Sequence, residues 1–305
     1  MSPLDRYLGC LLGLATADAV GTTLEFKAPG TFEPLDDMIG GGPFRLQAGQ
    51  WTDDTSMALC LAQSLVEKQG FDAADQMARY LRWYEDGHLS STGVCFDIGS
   101  TVRAALQKYR ETNDPYAGAT DPYTAGNGSI MRLAPVPMYY ARDPVQAIEL
   151  SGLSSRTTHG AAACIDACRY FGGLIVGALQ GTDKSTLLAP YYTPAPGYWV
   201  ANPLLTAEIS EVAAGSFKNR QPPEIKGSGY VVESLAAALW AFHDAKDFRE
   251  AVLRAVNLGD DADTTGAVCG QLAGAYWGES GIPKEWLEGL ARRDMIEKAL
   301  TGLLG

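Results

Sequence analysis

Apolar residues recur at intervals of three and four positions through most of the chain. That spacing places side chains on one face of an α-helix. Runs that alternate β-branched and polar residues, which would indicate strands, are scarce. The pattern therefore predicts an all-α fold. Helical stripes run through 58–66, 74–84, 98–109, 145–153, 160–180, 231–243, 248–256, 265–277 and 284–300.

Turn-forming proline and glycine residues mark three loops, at 27–50, 111–128 and 189–203. No internal repeat, low-complexity tract or long linker divides the 305 residues. A chain of this length is able to bury one sizeable core. We therefore predict one all-α domain covering 1–305.

The first predicted helix imitates a secretion signal, because an apolar run at Tyr7–Ala15 precedes the small residues 15–17. However, the residues before the run carry no net positive charge, and Gly9 and Gly13 interrupt it. A buried helix is the better interpretation. Since no uninterrupted apolar stretch approaches the roughly 20 residues of a membrane span, we expect no membrane partner.

Four glycines recur every four residues near the end of the chain, at Gly266, Gly270, Gly274 and Gly278. Each glycine destabilises a helix by about 0.5–1 kcal/mol relative to alanine. Such a stripe indicates that another backbone or a ligand approaches closely, or simply that the helix is tightly packed in a core. The sequence leaves these interpretations open.

The chain is acidic, with 24 Lys and Arg against 36 Asp and Glu, and a net charge of −12. A protein that binds nucleic acid through phosphate neutralisation shows the opposite balance. The six cysteines include no C-x-x-C pair and there are only three histidines, so neither zinc nor a disulfide framework is expected. Cys164 and Cys168, one helical turn apart, are predicted to be core residues. This cysteine usage favours a cytoplasmic protein.

Two acidic clusters each stand directly before a predicted helix, at 52–55 (Thr-Asp-Asp-Thr) and 260–265 (Asp-Asp-Ala-Asp-Thr-Thr). One helix cap needs one side-chain oxygen, whereas these clusters hold five carboxylates and four hydroxyls. Oxygen ligands without His or Cys select Mg²⁺, Mn²⁺ or Ca²⁺. If the two helix starts meet, they form a cation site; if they do not, the clusters only cap helices.

The two clusters belong to a series of short motifs that follow one another along nearly the whole chain. They are 13–21, Leu24-Glu25-Phe26, 49–55, Asp97-Ile98-Gly99, 126–132, Thr158-His159, 227–230 and 259–266. Together they resemble the ADP-ribosylglycohydrolase family, which includes dinitrogenase reductase-activating glycohydrolase. The resemblance implies a compact, single-domain orthogonal bundle of helices, in agreement with the periodicity.

The resemblance also implies two Mg²⁺ or Mn²⁺ ions as cofactors. Asp260, where relatives often carry glycine, would lie outside the ligand set. Glu25 and Asp97 would be the catalytic candidates, as acid or base. The metal ligands would be Thr52, Asp53, Asp54, Asp261, Asp263 and Thr264.

The resemblance implies that a second set of residues contacts ADP-ribose, the ligand of the family. Glycine-rich backbone would approach its ribose or pyrophosphate, a tyrosine would stack near its rings, and a histidine would line the ribose side. These residues are Gly126, Asn127, Gly128, Ser129, Met131, His159, Ser228, Gly229 and Tyr230.

Three of the residues in these motifs keep a second interpretation. His159 stands just before an alanine-rich helix, where it could act as a cap instead of contacting a ligand. Tyr230 could be an ordinary half-buried aromatic residue at a helix start. Arg132 could pair with a carboxylate or with a phosphate, and the sequence does not distinguish the two.

The implied reaction is hydrolysis of the glycosidic bond between ADP-ribose and a modified residue, foremost arginine. The partner would be ADP-ribose or an ADP-ribosylated protein. The alternatives are hydrolysis of serine-linked ADP-ribose, of O-acetyl-ADP-ribose or of another ADP-ribosylated small molecule, and a relative that binds ADP-ribose without catalysis. The sequence leaves the oligomeric state open.

Overall fold

A computed structural model describes residues 1–305 and contains helices, three isolated β-bridges and no strands. The all-α prediction is confirmed. The helices are α1 Pro3–Gly21, α2 Asp53–Lys68, α3 Ala73–Asp86, α4 Ser100–Thr112, α5 Pro135–Tyr139, α6 Pro144–Arg156, α7 Ala162–Leu179, α8 Lys184–Leu187, α9 Tyr198–Ala201, α10 Ala207–Ala213, α11 Val231–Asp244, α12 Phe248–Val256, α13 Ala262–Trp277, α14 Lys284–Gly289 and α15 Arg293–Leu304.

The predicted stripe at 284–300 is two helices, α14 and α15, instead of one. Leu290 is extended and Arg292 has a φ of 45°, so the backbone turns between them. The apolar spacing continues across the break because both helices pack on the same core. The short helices α5 and α10 were not predicted, since five and seven residues give too few turns to show a period.

Helices α1 and α13 cross with their backbones in contact. Gly9 and Gly13 of α1 face Gly274 and Gly270 of α13, and a Cβ atom at any of the four would overlap a backbone oxygen of the other helix. The glycine stripe of α13 therefore allows the backbone of α1 to approach closely. Gly278 ends α13 with a φ of 75°, and its backbone also lies against α1, because a Cβ at Gly9 would overlap the Gly278 carbonyl carbon.

We expect Gly270→Ala to destabilise the protein by about 2–3 kcal/mol, because the added methyl group has no space between the two backbones. Chemical denaturation followed by circular dichroism measures this free energy of unfolding. Gly289→Ala in α14 is the matched control, since a Cβ there meets no atom within 4 Å. Equal unfolding midpoints for the two variants would contradict the close contact.

Two segments, Pro3–Leu24 and Ala162–Leu179, are long and apolar enough to cross a membrane by length and composition alone. In the folded chain, 83% and 78% of their apolar windows are buried inside the protein. Both belong to a core cluster of 80 buried residues, which also includes Cys164 and Cys168, as predicted. Their apolar side chains thus pack against other helices.

Candidate functional site

Asp18, near the end of α1, binds the start of α2. Its carboxylate accepts hydrogen bonds from the N–H and hydroxyl groups of Thr52, both at 2.9 Å, and from those of Thr55 at 3.1 and 2.6 Å. It thereby caps the helix from a different part of the chain, with a negative charge at the positive end of the helix. Sequence analysis gave Asp18 no role, although a carboxylate inside an apolar helix was the signal for it.

Glu25 holds the start of α13 in the same way. Its Oε2 accepts hydrogen bonds from the N–H groups of Ala262 at 2.9 Å and Asp263 at 3.5 Å. At Gly21, a Cβ would lie 2.5 Å from the Cα of Asp263, so the end of α1 directly touches this helix start. The two predicted acidic clusters are therefore brought together by the segment 18–25.

Asp263 belongs to two groups of neighbouring carboxylates. One oxygen each of Asp18, Asp54 and Asp263 lie within 4.8 Å of one another, and the same holds for Glu25, Asp97 and Asp263. Asp97 comes from the loop before α4, where it has a φ of 61°. The arrangement offers two adjoining oxygen sites that share one residue.

The pKa values of Asp18, Glu25, Asp97 and Asp261 are raised, because desolvation and repulsion by neighbouring carboxylates both disfavour their charged forms. Desolvation is the largest cause for each group, and repulsion by Asp263 adds to it. The pKa of Asp18 and of Asp261 rises to about 7, and that of Asp97 to about 10. The pKa of Glu25 also rises far above its ordinary value. A nearby cation would reverse these shifts.

Two carboxylate oxygens in this cluster, Oδ1 of Asp54 and Oδ2 of Asp263, are buried without any hydrogen-bond partner. Unpaired buried acceptors are rare in folded proteins and usually indicate a missing ion or water. The surrounding side chains offer only oxygen atoms as metal ligands, and hard divalent cations prefer oxygen ligands. The residues present therefore fit bound hard divalent cations.

A cavity of about 320 Å³ opens beside the cluster. Carboxylates, threonines and the glycine-rich loop at 126–128 line it. No Lys or Arg lines it. The predicted site residues on its walls are Glu25, Asp53, Asp97, Gly126, Asn127, Gly128, Met131, His159, Gly229, Asp261, Asp263 and Thr264.

The family model described as ADP-ribosylglycohydrolase matches residues 1–304 of the chain. The chain belongs to this family. It is thus a hydrolase of glycosidic bonds to ADP-ribose.

Individual relatives agree with this membership. The chain is 45% identical over 295 residues to ADP-ribosylarginine hydrolase Tri1 of Pseudomonas putida, covering 97% of this chain and 76% of the relative. It is 32% identical to the ADP-ribosyl-[dinitrogen reductase] glycohydrolase of Rhodospirillum rubrum, over 94% and 90% of the two chains. A solved structure described as an ADP-ribosylglycohydrolase-related protein complex is 44% identical, with a TM-score of 0.85 over 99% of this chain and 97% of that one.

Three predicted ligand-binding residues of this ADP-ribosylglycohydrolase do not line the cavity. Ser129 is buried behind the loop, where it accepts a hydrogen bond from Ser155. The hydroxyl of Ser228 donates to Glu233 at 2.5 Å. Tyr230, at the start of α11, is 40% exposed and lines an adjoining outer groove of about 610 Å³ together with Tyr123.

Of the predicted metal ligands, Thr52 and Asp54 do not line the cavity. Both are fully buried, and the hydroxyl oxygen of Thr52 lies 3.0 Å from Oδ2 of Asp54. Asp260 also lies off the cavity. Its backbone exchanges hydrogen bonds of 2.7 and 2.8 Å with Phe26 and Lys27, which ties the loop after α1 to the start of α13.

The hydrolase holds its glycine-rich loop by backbone and side-chain contacts. The N–H of Asn127 donates to the carbonyl of Gly229 at 3.0 Å, and its side-chain amide donates to Oδ2 of Asp261 at 2.9 Å. At Gly128, a Cβ would lie 2.8 Å from the ring of His159. The loop is therefore fixed against both the acidic cluster and the histidine.

His159 does not cap α7, which begins at Ala162 without a side-chain cap. Its ring is buried and lines the cavity. Arg132 pairs with no carboxylate: its guanidinium donates to the Gly128 carbonyl and to two threonine hydroxyls, and lies 4.5 Å from the centre of the Tyr80 ring.

Proposed function

We propose that this enzyme hydrolyses the bond between ADP-ribose and an arginine side chain with the help of two divalent cations. The relative from Pseudomonas putida, named as an ADP-ribosylarginine hydrolase, supports arginine as the leaving group. The observation that carries the cation part is the sharing of Asp263 by two carboxylate groups next to a cavity.

The cations would be held by the predicted ligands. The unpaired oxygens of Asp54 and Asp263 support this assignment, as does the absence of Lys and Arg from the cavity wall. When bound, the cations neutralise the carboxylates and act as Lewis acids toward ribose hydroxyls and water. The predicted ligands are Thr52, Asp53, Asp54, Asp261, Asp263 and Thr264.

The loop at 126–128 would bind the phosphate or ribose part of the ligand. Its glycines let the backbone approach closely, and backbone N–H groups bind anions without a net positive charge. This matters because the protein carries a net charge of −12, so its overall field repels ADP-ribose. Asn127, fixed by Asp261, links this loop to the carboxylates.

In the reaction, the bond between the anomeric carbon and the guanidine nitrogen breaks, and the oxygen of water bonds to that carbon. The transition state has oxocarbenium character, which neighbouring carboxylates stabilise. The guanidine needs a proton to leave, and the water must lose one. We assign these transfers to the carboxyl groups of Glu25 and Asp97, which line the cavity close to Asp263.

Parallel assays with arginine-linked, serine-linked and acetyl-linked ADP-ribose test this proposal. We expect release from the arginine conjugate in the presence of Mg²⁺ or Mn²⁺ and none with EDTA. Release from the serine conjugate alone would overturn the leaving group and leave the cation site intact. Binding of ADP-ribose without release from any conjugate would indicate a non-catalytic relative.

A further inference from the structure

Arg132 is a fully buried cation whose hydrogen-bond partners are all neutral. One terminal nitrogen donates to the Gly128 carbonyl at 3.0 Å, and the other donates to the hydroxyls of Thr157 at 3.2 Å and Thr158 at 2.7 Å. A guanidinium group only donates hydrogen bonds and stays charged at every working pH. The Thr158 oxygen must therefore act as an acceptor toward Arg132.

The same Thr158 oxygen lies 2.9 Å from Nδ1 of His159. Since it accepts from Arg132, its own proton is directed to Nδ1, and the histidine carries its hydrogen on Nε2. In the opposite tautomer, the fully buried Thr158 hydroxyl would have no acceptor for its proton. Leaving a buried donor unpaired costs about 1–3 kcal/mol, which is enough to select the tautomer.

The other ring nitrogen, Nε2, faces the ligand loop and has no protein partner. Gly126 is the residue beside it, and a Cβ there would lie 3.4 Å from Nε2. His159 lines the cavity, so Nε2–H is available to an oxygen of a bound ligand. Burial, with the charge of Arg132, lowers the pKa of His159 to about 3, and the ring stays neutral.

We propose that Arg132, acting through Thr158, fixes His159 as a neutral Nε2–H donor to an oxygen of bound ADP-ribose. The identity of the ligand rests on the proposed function. Arg132 and Thr158 are positioning residues, and His159 contacts the ligand. Because Arg132 also holds the Gly128 carbonyl, one buried charge sets both the loop and the donor that face the ligand.

Nitrogen NMR of the ligand-free protein labelled with ¹⁵N-histidine tests the tautomer. The chain has three histidines, and the spectrum of His159→Gln identifies the signals of this one. We expect a protonated Nε2 and an unprotonated Nδ1 in the wild type. Thr158→Val should lose this fixed tautomer, and Thr158→Ser should retain it. A protonated Nδ1 in the wild type, or an unchanged tautomer in Thr158→Val, would overturn the relay.

Thr157→Val is the matched control, because Thr157 is equally buried and also accepts from Arg132 but does not touch His159. Calorimetric titration with ADP-ribose should show about tenfold weaker binding for Thr158→Val, the loss of one oriented hydrogen bond, and less than about twofold for Thr157→Val. Wild-type affinity in Thr158→Val would overturn the role toward the ligand. A wild type with the expected tautomer that binds no ADP-ribose would instead refute the proposed function.

Discussion

Asp263→Asn is expected to lower kcat/KM for ADP-ribosylarginine at least about 10³-fold while raising the thermal stability of the cation-free protein. Asp263 belongs to both carboxylate groups, so its replacement disturbs both proposed cation sites at once. Losing the several kcal/mol that such cations contribute to a transition state corresponds to a rate loss of this size. Steady-state kinetics with saturating Mn²⁺ measures it.

The stability gain follows from repulsion within the empty cluster. Asp263 raises the pKa of Asp18, Glu25, Asp97 and Asp261, which means that its charge disfavours theirs. Asparagine removes that charge and keeps an oxygen for the N–H of Thr264, which now donates to Asp263 at 2.7 Å. We expect the melting temperature without cations to rise by about 2–4 °C.

Asp260→Asn is the control for the same helix start. Asp260 lies off the cavity and contributes backbone hydrogen bonds, which asparagine preserves together with the φ of 54°. The activity of Asp260→Asn should stay within about twofold of the wild type, because this substitution removes no interaction made in the transition state. Full activity in Asp263→Asn, or equal losses in both variants, would contradict the shared role of Asp263.

Removing divalent cations is expected to abolish hydrolysis and to make stability fall as the pH rises. A carboxyl group whose pKa is raised by folding binds more protons in the native than in the unfolded state. Stability from that proton is present below the ordinary pKa and is lost as the pH rises through the folded value. For Asp18 the window runs from the ordinary 3.8 to about 7, and for Asp97 it extends to about 10.

The expected size of this loss of stability follows from Asp18, which is fully buried. Between pH 5 and the folded pKa of about 7, a loss of about 1.36 kcal/mol per pH unit amounts to about 3 kcal/mol. We therefore expect the melting temperature of EDTA-treated protein to fall by at least about 5 °C between pH 5 and pH 8. With Mg²⁺ or Mn²⁺ present, the same scan should be nearly flat. Identical pH profiles with and without cations would contradict a cation site among these carboxylates.

The sequence predicted the acidic part of the site well, because the residue types themselves carry the chemistry. Two clusters with more oxygens than capping requires indicated a cation site on the condition that the two helix starts meet, and the fold brings Asp54 and Asp263 together. Asp18 was missed for a physical reason. It stands alone in an apolar helix, and its partners Thr52 and Thr55 become visible only when α1 packs against α2.

The surroundings of Arg132 were also beyond prediction. Its threonine partners lie 25 and 26 positions away in sequence, and no pattern links them. Likewise, the break between α14 and α15 depends on the backbone at Leu290 and Arg292, whereas the apolar spacing there continues unbroken. Periodicity reports which face is buried, and it carries no information on where the backbone turns.

The crossing of α1 and α13 has a consequence for synthesis of the chain. A ribosome that has released the polypeptide only as far as α12 has produced Asp18 and Asp54 without Asp261 and Asp263, and has left the glycine face of α1 uncovered. The proposed cation site therefore cannot form until α13, which begins about the last seventh of the chain, has emerged. Premature termination before residue 262 yields a fragment that is both inert and open to chaperones and proteases.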